Sequence, residues 1–468
     1  MEFHLNNDRR NIATVLHEVT TVAEAYYNNQ HALPPSRLEA DFPAASMPEE
    51  GIGAQEVLRL FAKEYALRMA NSAGPRYFGF VTGGSTPAAV AADWLVSVFD
   101  QVMSGSNDSV AHSLERQTIG FLSEFFGLEG YEGTFVTGAT MSNFVSLATA
   151  RQWIGEQFGK DFSSDGLSNE IPVKVLSASP HSSILKSLSM LGLGRNAWVA
   201  IATLPDREAI DPSALRSYLE ENPGPAIVVA NAGTVNTVDF DDLEALAALK
   251  KEFGFFLHVD AAFGGFAAVV PEFAHFTKGI NAADTVTIDA HKWLNVPYDS
   301  AMQFTRHQAI QVKVFQNNAA YLGKSDQRPD NLNLTPENSR RFRALPAWFT
   351  LLAYGRKGYE EIVRRNCSAA AELSQLIEAS SLFRLLAPVR MNVVCFTLAS
   401  EPSMEEIRQF LNDVRDDGRV FFTPTLYKNT PAIRAAISNW QTTTDDTRLG
   451  FEVLCHVYQK MTANLNNE

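Results

Sequence analysis

The sequence is poor in cysteine and in long apolar runs. Its 468 residues include 3 cysteines, which are odd in number and far apart: Cys367, Cys395 and Cys455. This usage gives no basis for a disulfide framework or a cysteine-based zinc site, so we predict core thiols of a reducing compartment. No run of 18 apolar residues occurs, which argues against a membrane-spanning helix.

Positive charge is also scarce. The chain carries 39 Lys and Arg against 53 Asp and Glu, a net charge of −14. This acidity argues against unassisted binding to nucleic acid or to an anionic membrane. The first ten residues contain no apolar stretch that resembles a signal peptide. We therefore expect a soluble, cytoplasmic protein without nucleic-acid or membrane partners.

Short β-branched runs alternate with helical stretches between about residues 130 and 305. This alternation predicts an α/β fold with a mostly parallel, seven-stranded sheet and helices on both faces. The expected strands are 133–137, 173–177, 197–202, 226–230, 255–260, 285–289 and 301–304. In such a sheet, ligands bind outside the carboxyl ends of the strands, so polar residues at those ends are the candidates for a site.

Different patterns flank this region. Apolar residues at helical spacing begin at Ile12, and Thr86 with Pro87 predicts the start of another helix. After residue 345 we expect a long helix over 346–380, strands at 391–398, 420–423 and 432–438, and a last helix over 446–462. The chain therefore divides into three regions: 1–75, 76–345 and a small α+β domain, 346–468.

The strongest local signal is the pentapeptide 289–293, which contains Asp289, His291 and Lys292 at the end of an alternating strand. Lysine is rarely buried without a partner, so Lys292 at the end of a core strand indicates a functional amine. The alternative is a surface lysine beside a capping aspartate.

A second strand ends in an acid. Asp260 follows the largely apolar run 256–259 and precedes the small residues Ala262 and Gly264. Asp260 could pair with a cationic ring nitrogen, while the small residues after it would let a flat group approach closely. The alternative is an aspartate that caps the next turn.

Two more strand ends lead into helices. Gly138, Ala139 and Thr140 would expose backbone N–H groups at a helix N-terminus, which suits a phosphate. The Walker A lysine and the dinucleotide glycine spacing are missing there. His181, after the strand that ends near Ser177, could stack on an aromatic ligand or simply cap its helix.

Together these signals require a phosphorylated, cationic, aromatic ring that reacts with an amine, and pyridoxal 5'-phosphate (PLP) meets each requirement. We predict no metal site. Asp239, Asp241 and Asp242 resemble a metal cluster, but they precede a helix and are better interpreted as capping and dipole-favoured acids.

From about residue 75 to residue 440 the chain resembles the group II PLP-dependent amino-acid decarboxylases, which include aromatic-amino-acid, glutamate and cysteine-sulfinate decarboxylases. The resemblance implies the aspartate-aminotransferase-like fold type I and a homodimer with active sites at the subunit interface. Residues 1–75 would wrap the partner and 76–345 would bind PLP. The implied reaction converts an L-amino acid, aromatic or apolar, to its amine and CO₂.

The resemblance also assigns roles to residues. Lys292 would bond the cofactor aldehyde, Asp260 would pair with the ring nitrogen, and His181 would stack on the ring and donate a proton. The other implied contacts to the cofactor are Ala139, Thr140, Asn231, Ala262, Asp289 and His291. Arg434 would hold the substrate α-carboxylate, and Phe80 would line the substrate pocket.

One departure concerns the segment 324–336, where the family commonly has a tyrosine that protonates the substrate Cα. This segment holds neither Tyr nor His, and a rough alignment places Asn331 at that position. Tyr321 or another donor could act instead. Losing that tyrosine can redirect the family's reaction toward an aldehyde, so an aldehyde synthase, an aminotransferase or a C–C lyase stays an alternative. A catalytically silent PLP-binding protein is a further alternative.

A second departure concerns the aromatic segment before residue 85. Phe80 stands where aromatic-amino-acid decarboxylases have Tyr. Tyr77, Phe78 and Phe80 favour an apolar or aromatic substrate, whereas Arg76 could meet a second carboxylate. The alternative is that these aromatic residues form ordinary interface core.

Overall fold

Two β-sheets and the helices around them form the protein, in a computed structural model that describes residues 2–38, 44, 46–105, 109–168, 170–317 and 329–465. The strands are β1 Glu132–Val136, β2 Val175–Ser177, β3 Trp198–Ala200, β4 Ile227–Asn231, β5 Phe256–Asp260, β6 Thr285–Asp289, β7 Ala301–Thr305, β8 Phe383–Leu385, β9 Val393–Leu398, β10 Thr423–Tyr427 and β11 Thr430–Ala436.

The helices alternate with the strands of the larger sheet and flank those of the smaller one. They are α1 Glu2–Arg10, α2 Ile12–Asn29, α3 Ala54–Glu64, α4 Pro87–Phe99, α5 Ala111–Phe126, α6 Ala139–Gln157, α7 Phe162–Asp165, α8 Ser182–Met190, α9 Pro212–Glu221, α10 Leu243–Phe253, α11 Gln308–Phe315, α12 Ala344–Ala379, α13 Met404–Asp417 and α14 Thr444–Leu465.

The larger sheet has seven strands in the order β1-β7-β6-β5-β4-β2-β3. The pairs from β3 across to β6 are parallel, and β7 runs antiparallel to both β1 and β6. All five residues of β4, β5 and β6 are buried, as expected for central strands that helices cover on both faces. The predicted α/β class and the seven-stranded, mostly parallel sheet are therefore confirmed.

Local sequence signals explain several helix ends. Thr86 caps α4 by accepting a hydrogen bond from the backbone N–H of Ala89, with Pro87 at the first helical position. Asp242 caps α10 at Ala245, and Gly254 ends that helix with φ +71°. These signals depend on adjacent residues alone, so the sequence predicted both helix starts correctly.

The smaller sheet is antiparallel, in the order β10-β11-β9-β8, and α13 and α14 contact one another beside it. The predicted strand 420–423 is wrong by about three residues, because β10 begins only at Thr423. A two-residue turn at Lys428 and Asn429, both with positive φ, pairs Tyr427 with Thr430 and so determines where the hairpin strands lie. The short strand β8 was not predicted from the sequence.

The N-terminal helices α1–α3 contact one another. None of the described residues of α2 or α3 is buried in the single chain, although both helices carry apolar side chains. Among the described residues, no helix has the length and the apolar character that crossing a membrane requires. The region boundaries at residues 75 and 345 stay predictions.

Candidate active site

A cavity of about 350 Å³ lies at the carboxyl ends of β4, β5 and β6. Because these strands are parallel, their last residues meet at one edge of the sheet. All eleven residues that the sequence analysis proposed for the site line this cavity: Phe80, Ala139, Thr140, His181, Asn231, Asp260, Ala262, Asp289, His291, Lys292 and Arg434. The roles assigned to them stay predictions, whereas their convergence is a property of the fold.

Lys292 lies in the turn after β6 and points its amine into the cavity. Its Nζ lies 3.5 Å from Asp289 Oδ2 and 5.5 Å from the ring centre of Phe263. The neighbouring backbone packs tightly against Gly83, where a Cβ atom would lie 1.7 Å from the carbonyl oxygen of Lys292. A glycine is therefore required at position 83 for the chain to approach the lysine turn.

Asp260 ends β5 and is 6% exposed. Its Oδ2 accepts a hydrogen bond from Asn143 Nδ2 at 2.9 Å, and its Oδ1 accepts one from the backbone N–H of Ala262 at 3.2 Å. Both donors are neutral, so these contacts orient the carboxylate without neutralising its charge. The carboxylate can therefore attract a cationic group in the cavity.

His181 caps its helix, which is one of the two alternatives that the sequence left open, and its ring also lines the cavity, whereas stacking on a ligand stays a prediction. Its Nδ1 accepts a hydrogen bond from the backbone N–H of Ser183, which caps α8, while the ring lines the cavity. The surrounding protein lowers the pKa of His181 through desolvation, an effect that the nearby cations Lys292 and Arg434 reinforce and Asp260 opposes. The imidazole is therefore neutral near pH 7.

The N-terminus of α6 faces the cavity through Ala139 and Thr140. This helix is 19 residues long, and the residue before it, Gly138, has no side chain to cap it. Its first backbone N–H groups and the helix dipole favour an anion at this end.

Arg434 on β11 is a buried cation. It is 8% exposed, and its Nη1 donates a hydrogen bond to the carbonyl oxygen of Val235 at 3.1 Å. Within the described part of the chain, its Nε finds no hydrogen-bond partner. Burial lowers the pKa of the Arg434 guanidinium, and a bound anion would relieve this desolvation.

Three further predicted residues, Asn231, Asp289 and His291, line the cavity near the ends of β4 and β6. Asn231 donates from Nδ2 to the carbonyl oxygen of Ser179 at 3.2 Å. His291 Nδ1 lies 3.0 Å from Asp289 Oδ1, and burial lowers the pKa of His291. The buried Asp241 accepts the backbone N–H of Asn231 at 2.6 Å, and burial raises the pKa of Asp241 to about 7.

The three acids near residue 240 have different functions. Asp242 caps α10 as predicted, but Asp239 forms an ion pair with Arg207 at 2.6 Å and Asp241 holds two backbone N–H groups. Only one of the three therefore fits the capping interpretation. Among the described residues there is no group of three or more His, Cys, Asp or Glu that could hold a metal ion.

The structure corrects the interpretation of the aromatic segment. Phe80 lines the cavity and is 58% exposed, but Phe78 is buried in the core of the smaller sheet. Tyr77 stacks on Phe421 with ring centres 4.7 Å apart, and Arg76 forms an ion pair with Asp446 at 3.1 Å. Phe78 is therefore a core residue of this chain and Tyr77 is half-buried against Phe421, whereas a place for them at a subunit interface stays a prediction; Arg76 is not among the described residues that line the cavity.

Four polar residues of the cavity were not predicted from the sequence, namely Ser179, Glu208, Thr234 and Tyr298. Glu208 accepts hydrogen bonds from the hydroxyls of Thr234 and Thr237 at 2.5 and 2.6 Å. It lies in a loop between β3 and α9, where no motif would have revealed it. Tyr298, which precedes β7, packs on the ring of His291 with centres 4.3 Å apart. Tyr298 is 62% exposed in the single chain, and partial desolvation and the nearby Asp289 raise the pKa of its phenol, which stays protonated at neutral pH.

Of the segment 324–336, in which the family's tyrosine is missing, residues 329–336 belong to the described part of the chain. Tyr321 lies outside the described residues. Asn331 begins a short 3₁₀ turn over Asn331–Asn333 and is not among the residues that line the cavity. Neither position therefore tests which group protonates the substrate.

Comparison with known proteins gives a consistent result. The family described as "Pyridoxal-dependent decarboxylase conserved domain" matches residues 35–399. The aromatic-L-amino-acid decarboxylase of Bacillus atrophaeus is 28% identical over 86% of this chain and 85% of its own. The phenylacetaldehyde synthase of Petunia hybrida is 26% identical over 78% of this chain and 76% of its own.

A solved structure supports the same fold. The crystal structure of Oryza sativa TDC with PLP and tryptamine covers 97% of this chain and 98% of that chain, with a TM-score of 0.88 and 22% identity. At this identity the likeness concerns the fold alone, and it confirms the predicted fold type.

Proposed function

Because the chain belongs to the pyridoxal-dependent decarboxylase family, we propose that it removes the α-carboxylate of an aromatic or apolar L-amino acid. Membership makes the protein an amino-acid carboxy-lyase with PLP as its cofactor.

One observation carries the proposal. A buried guanidinium with an unpaired N–H, that of Arg434, faces the same cavity as the amine of Lys292. An amino acid presents both a carboxylate and an amine to such a site. Arg434 would bind the carboxylate through charge-assisted hydrogen bonds, and this contact would orient the bonds around Cα.

The residues of the cavity fit the cofactor. When bound, PLP supplies a cationic, conjugated ring that accepts the electron pair left when a bond to Cα breaks. Lys292 would hold its aldehyde, Asp260 its ring nitrogen, and the N-terminus of α6 at Ala139 its phosphate. Asp260 suits this use because its two hydrogen-bond donors are neutral and leave its negative charge available.

The walls of the cavity favour an apolar side chain. Phe80, Val81, Phe263 and Tyr298 line it with aromatic and aliphatic surface. Glu208 adds a carboxylate, which would repel a second carboxylate on the substrate. We therefore expect aromatic or apolar amino acids to react faster than acidic ones.

Aldehyde formation is a second candidate for two reasons. The phenylacetaldehyde synthase of Petunia hybrida is similar to this chain over 78% of its length, and the segment 324–336 contains no tyrosine. Among the described residues of the cavity, Tyr298 is the only tyrosine, and His181 is a second group that could supply a proton. A proton delivered to Cα yields the amine, whereas reaction with oxygen yields the aldehyde.

A substrate panel tests the function. The purified protein, loaded with PLP, is incubated with aromatic, aliphatic and acidic L-amino acids while CO₂, amine, aldehyde and peroxide are measured. We expect CO₂ and amine in equal amounts from an aromatic substrate. Aldehyde with peroxide would support the second candidate, and a keto acid without CO₂ would reject both in favour of transamination.

Replacing Arg434 with methionine tests the substrate contact. Loss of a charge-assisted hydrogen bond costs about 1.5–3 kcal/mol, so we expect kcat/KM to fall by about 10- to 100-fold, mainly through a higher KM. Because a buried cation with an unpaired N–H is replaced by an apolar side chain of similar length, the melting temperature should hold or rise.

The matched control for this substitution is Arg390→Met. Arg390 forms an ion pair with Asp239 at 3.2 Å and does not line the cavity. The Arg390→Met variant should be less stable than the wild type but should have the same KM. Equal KM values for the wild type and Arg434→Met would contradict the assigned role.

We also propose a cytoplasmic homodimer whose active sites lie near the subunit interface, with residues 1–75 packed on the partner. The exposed apolar side chains of α1–α3 support this arrangement: Leu5, Ile12, Leu16, Tyr27, Val57, Leu60 and Phe61. Light scattering of the holoenzyme should give twice the mass of one chain. A monomeric mass at micromolar concentration would contradict the proposal.

A further inference from the structure

A chain of hydrogen bonds runs beneath the cavity, behind the residues that line it. It begins at His258 on β5, which is 0% exposed. His258 Nδ1 lies 2.9 Å from Thr285 Oγ1, and its Nε2 lies 2.9 Å from Asn143 Oδ1. Burial lowers the pKa of His258 to about 4, so this ring is neutral and carries one proton.

Asn143 on α6 is the branch point of the chain. Its Nδ2 lies 2.9 Å from Asp260 Oδ2 and 3.0 Å from Ser183 Oγ. A carboxylate only accepts hydrogen bonds, so the Asn143 amide nitrogen must face Asp260 and its oxygen must face His258. The proton of His258 therefore lies on Nε2, and Nδ1 accepts the hydroxyl proton of Thr285.

The second branch and the backbone N–H of Ser183 together favour one tautomer of His181. Ser183 Oγ accepts one proton of the Asn143 amide, so the hydroxyl of Ser183 donates its own proton to His181 Nδ1 at 2.7 Å. The backbone N–H of Ser183 also points to His181 Nδ1. A nitrogen that accepts hydrogen bonds has no proton, so the neutral His181 ring carries its proton on Nε2.

We propose that Asn143 is a positioning residue of this active site. Through one branch it holds the carboxylate of Asp260 in place, and through Ser183 it holds His181 in the tautomer with Nε2 protonated. Asn143 itself is fully buried and does not line the cavity. The inference rests on the proposed function, because it assigns Asp260 and His181 to the cofactor.

Asn143→Asp tests both branches with little change in size. The aspartate still accepts the His258 proton, but its carboxyl group lies about 3 Å from that of Asp260, so the two side chains share one proton and Asp260 no longer carries a full charge of its own. We expect the dissociation constant for PLP to rise by about 10-fold or more. Ser183 would then donate to the new carboxylate and no longer to His181 Nδ1, so the ¹⁵N shifts of His181 should move toward a tautomer mixture. The tautomer is read from the ¹⁵N shifts of the histidine-labelled holoenzyme, with His181 assigned by substitution.

Ser183→Ala separates the two branches. It removes the hydroxyl that donates to His181 but leaves the contacts of Asn143 with Asp260 and His258. The dissociation constant for PLP should stay within about 3-fold of wild type, while the His181 ¹⁵N shifts move toward a tautomer mixture. The charged groups that face His181 are Asp260, Lys292, Arg434 and Asp289, and none of them is altered.

Thr149→Val is the matched control. Thr149 is a buried polar residue of the same helix, and its hydroxyl donates only to the carbonyl oxygen of Val145 in that helix. It should preserve both the PLP affinity and the His181 tautomer. If Asn143→Asp behaves like Thr149→Val in both measurements, the proposal is overturned.

The outcomes also separate this inference from the proposed function. A wild-type protein that binds no PLP rejects the function, and the His181 tautomer of the cofactor-free protein then still decides the inference. If Asn143→Asp does not fold, Ser183→Ala decides, because an unchanged His181 tautomer in that variant overturns the proposal.

Discussion

Replacing Lys292 with alanine should reduce the rate of decarboxylation by about 10³-fold or more. The amine at this position is the only described lysine nitrogen of the cavity, and it lies beside Asp289 at 3.5 Å. In the role that we propose for Lys292, its loss would remove the nucleophile that bonds the cofactor aldehyde and a group that can carry a proton near Cα.

Borohydride reduction followed by mass spectrometry measures the covalent attachment directly. The wild type should gain the mass of one reduced cofactor on the peptide that contains Lys292. The Lys292→Ala variant should gain none, although PLP can still bind through its phosphate and its ring. A variant that keeps a borohydride-stable adduct would contradict the assignment.

Two controls separate reactivity from charge and from folding. Lys292→Arg keeps a positive charge near Asp289 but has no reactive amine, so its rate should fall as far as that of the alanine variant. Lys250→Ala removes a lysine that pairs with Asp284 at 2.5 Å, far from the cavity lining. It should lower the melting temperature and leave kcat unchanged.

Asp260→Asn is expected to lower kcat by about 10²- to 10³-fold. A carboxylate close to a ring nitrogen raises the pKa of that nitrogen by about 1–3 units. Each unit is a tenfold change in the ratio of the protonated to the unprotonated ring. The asparagine keeps the size of the side chain and can still accept the N–H of Ala262 or of Asn143. The variant therefore removes the charge with little change in packing.

Measurements of kcat and of the dissociation constant for PLP test this prediction, with Asp284→Asn as the control. Asp284 is also a buried carboxylate, but it precedes β6 and lies at the opposite edge of the sheet, paired with Lys250 and His307. Its substitution should lower stability and spare kcat. Equal kcat values for Asp260→Asn and wild type would show that the ring nitrogen needs no acid.

The residues at the carboxyl ends of the parallel strands could be predicted, because the periodicity and the direction of a strand are local properties of the sequence. Asn231, Asp260 and Asp289 each end a buried strand. Once the strands are parallel, these three residues must meet at one edge, whatever the details of packing. The site therefore followed from the order of the strands and the residues at their ends.

The aromatic segment shows where local patterns fail. Tyr77, Phe78 and Phe80 are nearly adjacent and chemically alike, yet only Phe80 reaches the cavity. The path of the loop decides this difference: the backbone N–H of Phe78 bonds to the carbonyl oxygen of Phe421 at 2.8 Å, and Phe80 has φ +54°. The hydrogen bond joins this segment to the C-terminal region, about 340 residues away along the chain.

By itself, the sequence determined the parallel sheet, the helix starts at Thr86 and Asp242, and the strand-end residues of the site. Only the tertiary structure placed Glu208 in the cavity and joined Asn143 to Asp260, 117 residues further along the chain. Periodicity and capping act between near neighbours, so a sequence reports them directly. Hydrogen bonds between distant side chains form only after packing brings α6 against β5.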